Sequence, residues 1–324
     1  MNKMPNFSEL PLGKDDPPFS AWGLYGKDDQ LGTLNRLTDD IVKEAAKEIK
    51  TGVRISMNWP LDAQADMPFF RRQAFHKHVY PKPPRVVNDD VWTFNTQSSS
   101  QWDGLRHFAY QHAERFYNGV TMGDIHASPS STVNGIHAWA ERGIVGRGVL
   151  VDFAGWRAAL AAQGQAVRPY DPFETGVIKL EELKQCLEWQ GTQVRWGDVL
   201  ILRSGYMEAH QTKPKDELKV LAEVVPPHFS GVEQSPEMLE WIWDHFAAVA
   251  GDHPTFECWP SQQSEWSLHE VLLSGWGCPI GEMFDLEGLA AECKKINRWT
   301  FFVVSEPCNV PGGVASPPNI LAIF

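Results

Sequence analysis

Residues 247–251 read AAVAG, a run with no polar side chain for either face of a strand. A strand so apolar belongs inside a sheet that is covered on both sides. The segments around it alternate in type. Residues 148–153 (GVLVDF) and 198–203 (DVLILR) read as buried strands, and residues 180–190 (LEELKQCLEWQ) as an amphipathic helix. Residues 236–246 fit a helix with Leu239, Ile242, Trp243 and Phe246 turned inward. Residues 268–273 open another helix, and 301–304 and 320–323 are late strands. Thr38 caps a helix over residues 39–50, with Ile41, Val42, Ala45 and Ile49 on one face and Gly52 as its stop, and residues 53–58 form a strand. This is the pattern of an α/β protein with one continuous core from about residue 50 to 324 and no second domain.

Two segments fall outside the pattern. Residues 1–37, rich in Gly, Pro and Asp, read as an extended N-terminal arm ahead of a catalytic domain at 38–324. Being too polar to fold alone, the arm is expected to pack on a neighbouring subunit, which implies a homodimer or homotetramer. Residues 59–90 carry Pro, Phe, Arg and His without a period and read as a binding loop or lid.

Composition narrows the partners. The chain has 324 residues, 43% hydrophobic, and a formal net charge of −12. An acidic chain without a basic run argues against nucleic acid. The densest cationic stretch, Arg71, Arg72, His76, Lys77 and His78, reads as a solvated loop. No stretch approaches the length of a membrane span, and the N-terminus lacks the apolar core of a signal peptide. Five scattered cysteines form no CxxC pair, so buried thiols in a reducing cytoplasm are the expectation. Fourteen tryptophans suit an aromatic-walled pocket for a small molecule.

Four places set polar groups at the ends of apolar segments. The first is QSSSQWDGLRH, residues 97–107, where Gln101 and Asp103 point to one side of a strand and a turn at Gly104 returns His107 toward them. The second is Asp252-His253, directly after AAVAG, where α/β proteins place ligands. The third is His269, inside WSLHEVLL, and the fourth is Glu282, in CPIGEMF. Each has a plain alternative: a turn cap for Asp103, a turn starter for Asp252, a satisfied core histidine at 269, a loop acid at 282. Carboxylates and imidazoles that share one site suit metal-assisted hydrolysis or acid–base catalysis. GxSxG, GxGxxG and P-loop motifs are missing from the sequence, which disfavours serine hydrolase, dinucleotide and nucleotide chemistry.

WGLYGKDDQLGTLNRLT, QWDGLRHF, GIVGRGVLVDF, GDVLILRSGY, AAVAGDHP, LHEVLLSGWGCPIGEMFDL and GGVASPPNILAIF follow one another in order. Together they resemble the cyclase family that includes bacterial kynurenine formamidase and isatin hydrolase, over about residues 20–324. The resemblance implies a single-domain, swivelling β/β/α-like fold with a central mixed sheet and a smaller sheet beside it. The family signature HxGTHxDxPxHF places its two early histidines on Gln97 and Gln101, its aspartate on Asp103, its proline on Leu105 and its last histidine on His107. The family's early histidines and aspartate help to hold Zn²⁺ or Mn²⁺, and its last histidine is the acid–base group. Its downstream ligands look like His269 and Glu282. The resemblance thus implies a metal set of Gln101, Asp103, His269 and Glu282, with His107 and Asp103 catalytic.

Two imidazoles are replaced by amides, which suit Mn²⁺ or Mg²⁺ better than Zn²⁺. The cofactor is therefore a divalent metal, with help from His137 or His253, or there is none. Gln97, Trp102, Phe69, Phe70, His253 and Trp259 are the candidate substrate contacts. Three functions compete. One is a hydrolase of a small cyclic amide, lactone or aryl formamide. Another is a metal-independent lyase or cyclase on a small aromatic or polyketide-like metabolite, working through Asp103 and His107. The last is a binding protein that kept the pocket and lost the chemistry.

Overall fold

A computed structural model describes residues 4–64 and 68–324. Residues 1–3 of the expected arm and 65–67 of the expected lid lie outside them. The strands are β1 (Arg54–Ser56), β2 (His76–Pro81), β3 (Asn88–Thr93), β4 (Gln101–Asp103), β5 (Ile144–Val151), β6 (Gly176–Ile178), β7 (Asp198–Leu202), β8 (Ser230–Val232), β9 (Phe246–Gly251), β10 (Ile280–Glu282), β11 (Thr300–Ser305), β12 (Ala315–Ser316) and β13 (Ile320–Ile323). Nine of them make one mixed sheet in the order β1-β13-β11-β5-β7-β9-β10-β4-β12. Its centre, β5-β7-β9-β10, is parallel, and the strands flanking it are antiparallel. β2-β3 and β6-β8 form two small separate sheets.

The AAVAG requirement is met by alternation. Val149, Val151, Leu200, Leu202 and Val249 enter one core with the helices Phe153–Ala162, Leu180–Trp189 and Pro236–His245. Leu150, Val199, Ile201, Ala248 and Ala250 enter the opposite core, against the helix Glu287–Ile296. Every residue of β9 is buried. At about 25 cal/mol per Å² of apolar surface removed from water, these two layers are the main source of stability.

Several boundaries differ from the sequence reading. β5 ends at Val151, because the Asp152 side chain accepts from Gly155 N at 2.9 Å and starts a helix at Phe153. Phe246 opens β9 rather than closing the helix before it. The helix capped by Thr38 is α-helical only over Asp39–Ala45 and then tightens to a 3-10 turn. Residues 59–90 are not all loop, since β2 and the first half of β3 lie there.

The N-terminal arm is not extended, and its described part packs on its own chain. Leu10 and Ala21 are buried in one core, and Leu34 and Leu37 in the other. Thr33 Oγ1 donates to Ala247 O at 2.7 Å, and Arg36 Nη1 donates to Trp243 O and Phe246 O at 2.7 and 2.8 Å. These two side chains of the segment are thus tied to the body of their own chain. Cys186, Cys258, Cys278 and Cys293 are buried thiols as expected, but Cys308 is exposed. Among the described residues no helix is long and apolar enough to cross a membrane.

Candidate active site

The site is built where two short strands meet. β4 lies antiparallel to β10, with Gln101 opposite Glu282 and Asp103 opposite Ile280. Cross-strand partners share a face, and so do residues two apart. Gln101, Asp103 and Glu282 therefore converge, and Gln101 Nε2 donates to Glu282 Oε2 at 2.8 Å. Gln97, four residues upstream, donates from Nε2 to Asp103 Oδ1 and accepts from Gln101 Nε2 at 3.2 Å. A turn then closes with His107 N donating to Gly104 O at 3.0 Å, which brings His107 Nε2 to 3.8 Å from Asp103 Oδ2.

His269 arrives from the other side. It begins a helix that widens into a π-helix at Glu270–Trp276, an element often found at functional sites. Glu257, fully buried, takes the first amides of that helix: Leu268 N and His269 N donate to it at 2.8 Å each. Its Oε1 also binds His269 Nδ1 at 2.6 Å. The ring is thereby aimed, with Nε2 3.1 Å from Glu282 Oε1 and 3.7 Å from Asp103 Oδ2. Asp103, His269 and Glu282 each offer a ligand atom within 4.8 Å of the others.

Electrostatics follow from this crowding. Burial opposes ionisation of Asp103, but His107, His269 and the Gln97 amide outweigh it and hold the pKa down to about 2. Burial and the Asp103 charge push Glu282 up to about 7. Burial lowers His107, with Asp103 opposing, so its imidazole favours the neutral form. Burial would lower His269 too, but its bonds to Asp103, Glu257 and Glu282 raise it well above the usual value. Burial lowers the Arg72 pKa, with the charges of Glu282 and Asp103 opposing, and its Nη1 donates to Gln97 O at 2.7 Å.

The donor set fits a divalent ion. Asp103 Oδ2 and Gln101 Oε1 are buried acceptors without a hydrogen-bond partner among the described residues. An oriented imidazole and a second carboxylate stand beside them. A carboxylate behind a metal-facing histidine, as Glu257 stands behind His269, is the usual support of such a site.

Several expected contacts lie elsewhere. Trp102 points to the opposite face of β4, where its Nε1 donates to Ser305 Oγ at 2.8 Å and its ring packs on Phe284. Gly281, directly opposite, leaves room for it: a Cβ there would stand 2.9 Å from Trp102 Cζ3 and 2.6 Å from Ala250 Cβ. Phe69 belongs to a separate cluster with Phe173, Tyr206, Leu218 and Phe229, against which Phe70 and Trp259 pack, although Phe70 also lies under the Arg72 guanidinium, 4.7 Å from its ring centroid. Phe69 also lines a groove of about 370 Å³ with Trp59, Gln64 and His210, which contains no member of the Asp103 cluster. His253 is fully enclosed against Phe256, and neither ring nitrogen has a hydrogen-bond partner among the described residues. Asp252 accepts from Ser204 N and Oγ, Gly205 N and Met207 N, so it organises a turn. His137 Nδ1 accepts from Gly312 N, away from the cluster.

Three residues at the site were missed. Glu257 gave no periodic signal. Arg72 sits in a cationic stretch that has the composition of a solvated loop. Phe108, whose ring centroid lies 5.4 Å from that of His269, was the next residue after His107.

Comparison with known proteins agrees with the fold and the family. Residues 38–257, more than half of the chain, match the family described as "Putative cyclase". The chain belongs to that family. A crystal structure of a novel cyclase is 28% identical, with a TM-score of 0.78, over 94% of this chain and 99% of that one. Isatin hydrolase A from Ralstonia solanacearum is 13% identical over 83% of this chain and 91% of its own, with a TM-score of 0.56. Isatin hydrolase A from Labrenzia aggregata is 13% identical over 90% and 98%, also with a TM-score of 0.56. Comparison with curated proteins gives no match.

Proposed function

We propose that the protein hydrolyses a small cyclic amide, lactone or aryl formamide, with a divalent metal held by Asp103, His269, Glu282 and Gln101 and with His107 as the acid–base group. The observation that carries this reading is the convergence of ligand atoms of Asp103, His269 and Glu282 within 4.8 Å, with Asp103 Oδ2 and Gln101 Oε1 buried and without a hydrogen-bond partner among the described residues. Membership of the cyclase family and the isatin hydrolase likeness in fold support it.

The chain's own part can be derived from the geometry. A bound ion would supply positive charge that polarises a substrate carbonyl and acidifies water. His107, neutral and with its side chain 21% exposed, stands at the accessible side of the cluster, where it accepts a proton from the attacking water. Asp103 stabilises the imidazolium that results. His107 then returns the proton to the leaving nitrogen or oxygen. Arg72 and Phe108 border the space in which the substrate would sit.

One observation favours a second reading. The Gln97 and Gln101 amides already donate to Asp103 and Glu282, so both carboxylates have partners without an ion. A metal-independent lyase or cyclase using Asp103 and His107 would work in that state. Elemental analysis of the purified protein, together with turnover of cyclic amides and aryl formamides before and after chelation, separates the two. The hydrolase reading expects bound divalent metal and activity lost on chelation. Undiminished turnover by metal-free protein would discard it for the second.

A further inference from the structure

Phe70 and Arg71 both take left-handed backbone, with φ of 61° and 54°. For a phenylalanine that conformation is strained, and such strain persists only where the surroundings hold it. The bend sends neighbouring side chains to different places. Phe69 enters the cluster with Phe229, 5.1 Å between ring centroids. The Phe70 ring rests beside Phe229 at 6.0 Å and carries the Arg72 guanidinium on its face, 4.7 Å from the ring centroid. Arg72 Nη1 then donates to Gln97 O at 2.7 Å.

That leaves the guanidinium partly used. It has five N–H donors, and the bond to Gln97 is the one its side chain makes among the described residues. Glu282 and Asp103 act on it through space, but no carboxylate of the described residues reaches ion-pair distance. A half-enclosed cation without a partner ion is costly. Gln97 stands between this cation and the Asp103 cluster. Its carbonyl accepts from Arg72 while its side-chain amide donates to Asp103. Arg72 therefore lies one residue out from the ligand atoms, at the place of a substituent rather than of the scissile carbonyl.

We propose that Arg72 determines specificity by receiving a carboxylate that the substrate carries beside its scissile bond. The inference rests on the hydrolase reading and narrows it to cyclic amides, lactones or aryl formamides that bear an anionic group. A guanidinium takes a carboxylate through two parallel N–H bonds, and the Phe70 ring beneath it holds the plane of that fork.

Kinetics with 2-formamidobenzoate and its methyl ester, which differ in this charge, test the proposal. The wild type should favour the carboxylate in kcat/KM, chiefly through KM. In Arg72→Gln the ratio of carboxylate to ester should fall by about 10- to 100-fold, the worth of hydrogen bonds to a charged group. Arg72→Lys, which keeps the charge without the fork, should fall between. Misfolded protein loses both activities alike, so the ratio is insensitive to the folded fraction. Calorimetric titration with benzoate and with benzamide reads the fork without turnover. The wild type should bind benzoate more tightly than benzamide, and Arg72→Gln should lose that preference. If neither formamide is hydrolysed while benzoate and benzamide behave in this way, the hydrolase reading fails and the anion site stands. A wild type that binds benzoate no more tightly than benzamide overturns the proposal. So does an Arg72→Gln protein that keeps the wild-type ratios, including one that loses both members of a pair equally.

Discussion

In the proposed function His107 and Asp103 divide one task. The imidazole is partly exposed, is lowered in pKa by burial, and lies 3.8 Å from a carboxylate whose own pKa is about 2. Asp103 is therefore charged whenever His107 needs a counter-ion. His107→Ala should lower kcat by about 10²–10⁴ while leaving the unfolding midpoint close to wild type, because the ring fills no core space. Asp103→Asn is expected to behave differently. It removes the charge that favours the protonated imidazole and leaves Gln97 Nε2 with a weaker acceptor, so both kcat and the urea midpoint should fall. Steady-state kinetics and urea titration of the two variants check this; full activity in His107→Ala would end the catalytic assignment. Glu257 gives a third residue-scale test. Its carboxylate takes the Leu268 and His269 amides, just ahead of the π-helix, together with His269 Nδ1, so Glu257→Gln keeps the shape and loses the charge. If the site holds a divalent ion, metal affinity should fall by about 10- to 100-fold in this variant, read by competition with a chelator.

At the scale of elements, the pairing of β4 with β10 decides which side chains reach the site. Period-two alternation sends Gln101 and Asp103 to one face and Trp102 to the other. Trp102→Ala should then lower the free energy of unfolding by about 3–5 kcal/mol, the cost of emptying a buried indole site. Substrate affinity measured on the protein that remains folded should be unchanged. The same alternation was legible in the sequence for Gln101 and Asp103, and it already excluded Trp102, which was grouped with them only by adjacency. The strands β5, β7 and β9 were legible because continuous apolar runs admit few other placements. Glu257, Arg72 and the hairpin were not. Glu257 acts on a residue twelve positions later through a contact that no periodicity encodes. Arg72 looks like any surface arginine until β10 brings Glu282 opposite it. The hairpin's strands carry Asp and Val on both faces, with Lys77 on one and His76 and His78 on the other, so no buried face marks them as strands. His269 was legible as a candidate because an imidazole in an apolar helix is conspicuous. The widening of that helix into a π-helix was not.

For the whole molecule, the two-sided burial of β9 has a consequence at the point where that strand ends. His253 follows Gly251 and Asp252 into a position with no exposure, and burial lowers its pKa to about 3 from an ordinary 6.5. Between those values the unfolded chain binds a proton that the folded chain refuses. The stability contributed by keeping the ring neutral is complete above about pH 6.5 and is lost as pH falls toward 3, at up to about 1.4 kcal/mol per pH unit. His210, with a pKa lowered to about 4 by burial, acts in the same direction, reduced by its partial exposure. Glu282, raised to about 7, acts in the opposite direction between 4.5 and 7, and the raised Asp252 opposes as well. The raw pH profile of unfolding is therefore a composite, and a difference measurement isolates the histidine. Urea unfolding of wild type and His253→Gln, compared from pH 7 down to pH 4, should show the wild type losing ground steadily to the variant below about pH 6.5. A difference between them that stays constant over that range would mean that the imidazole is protonated as easily in the fold as outside it, and that water reaches the end of β9.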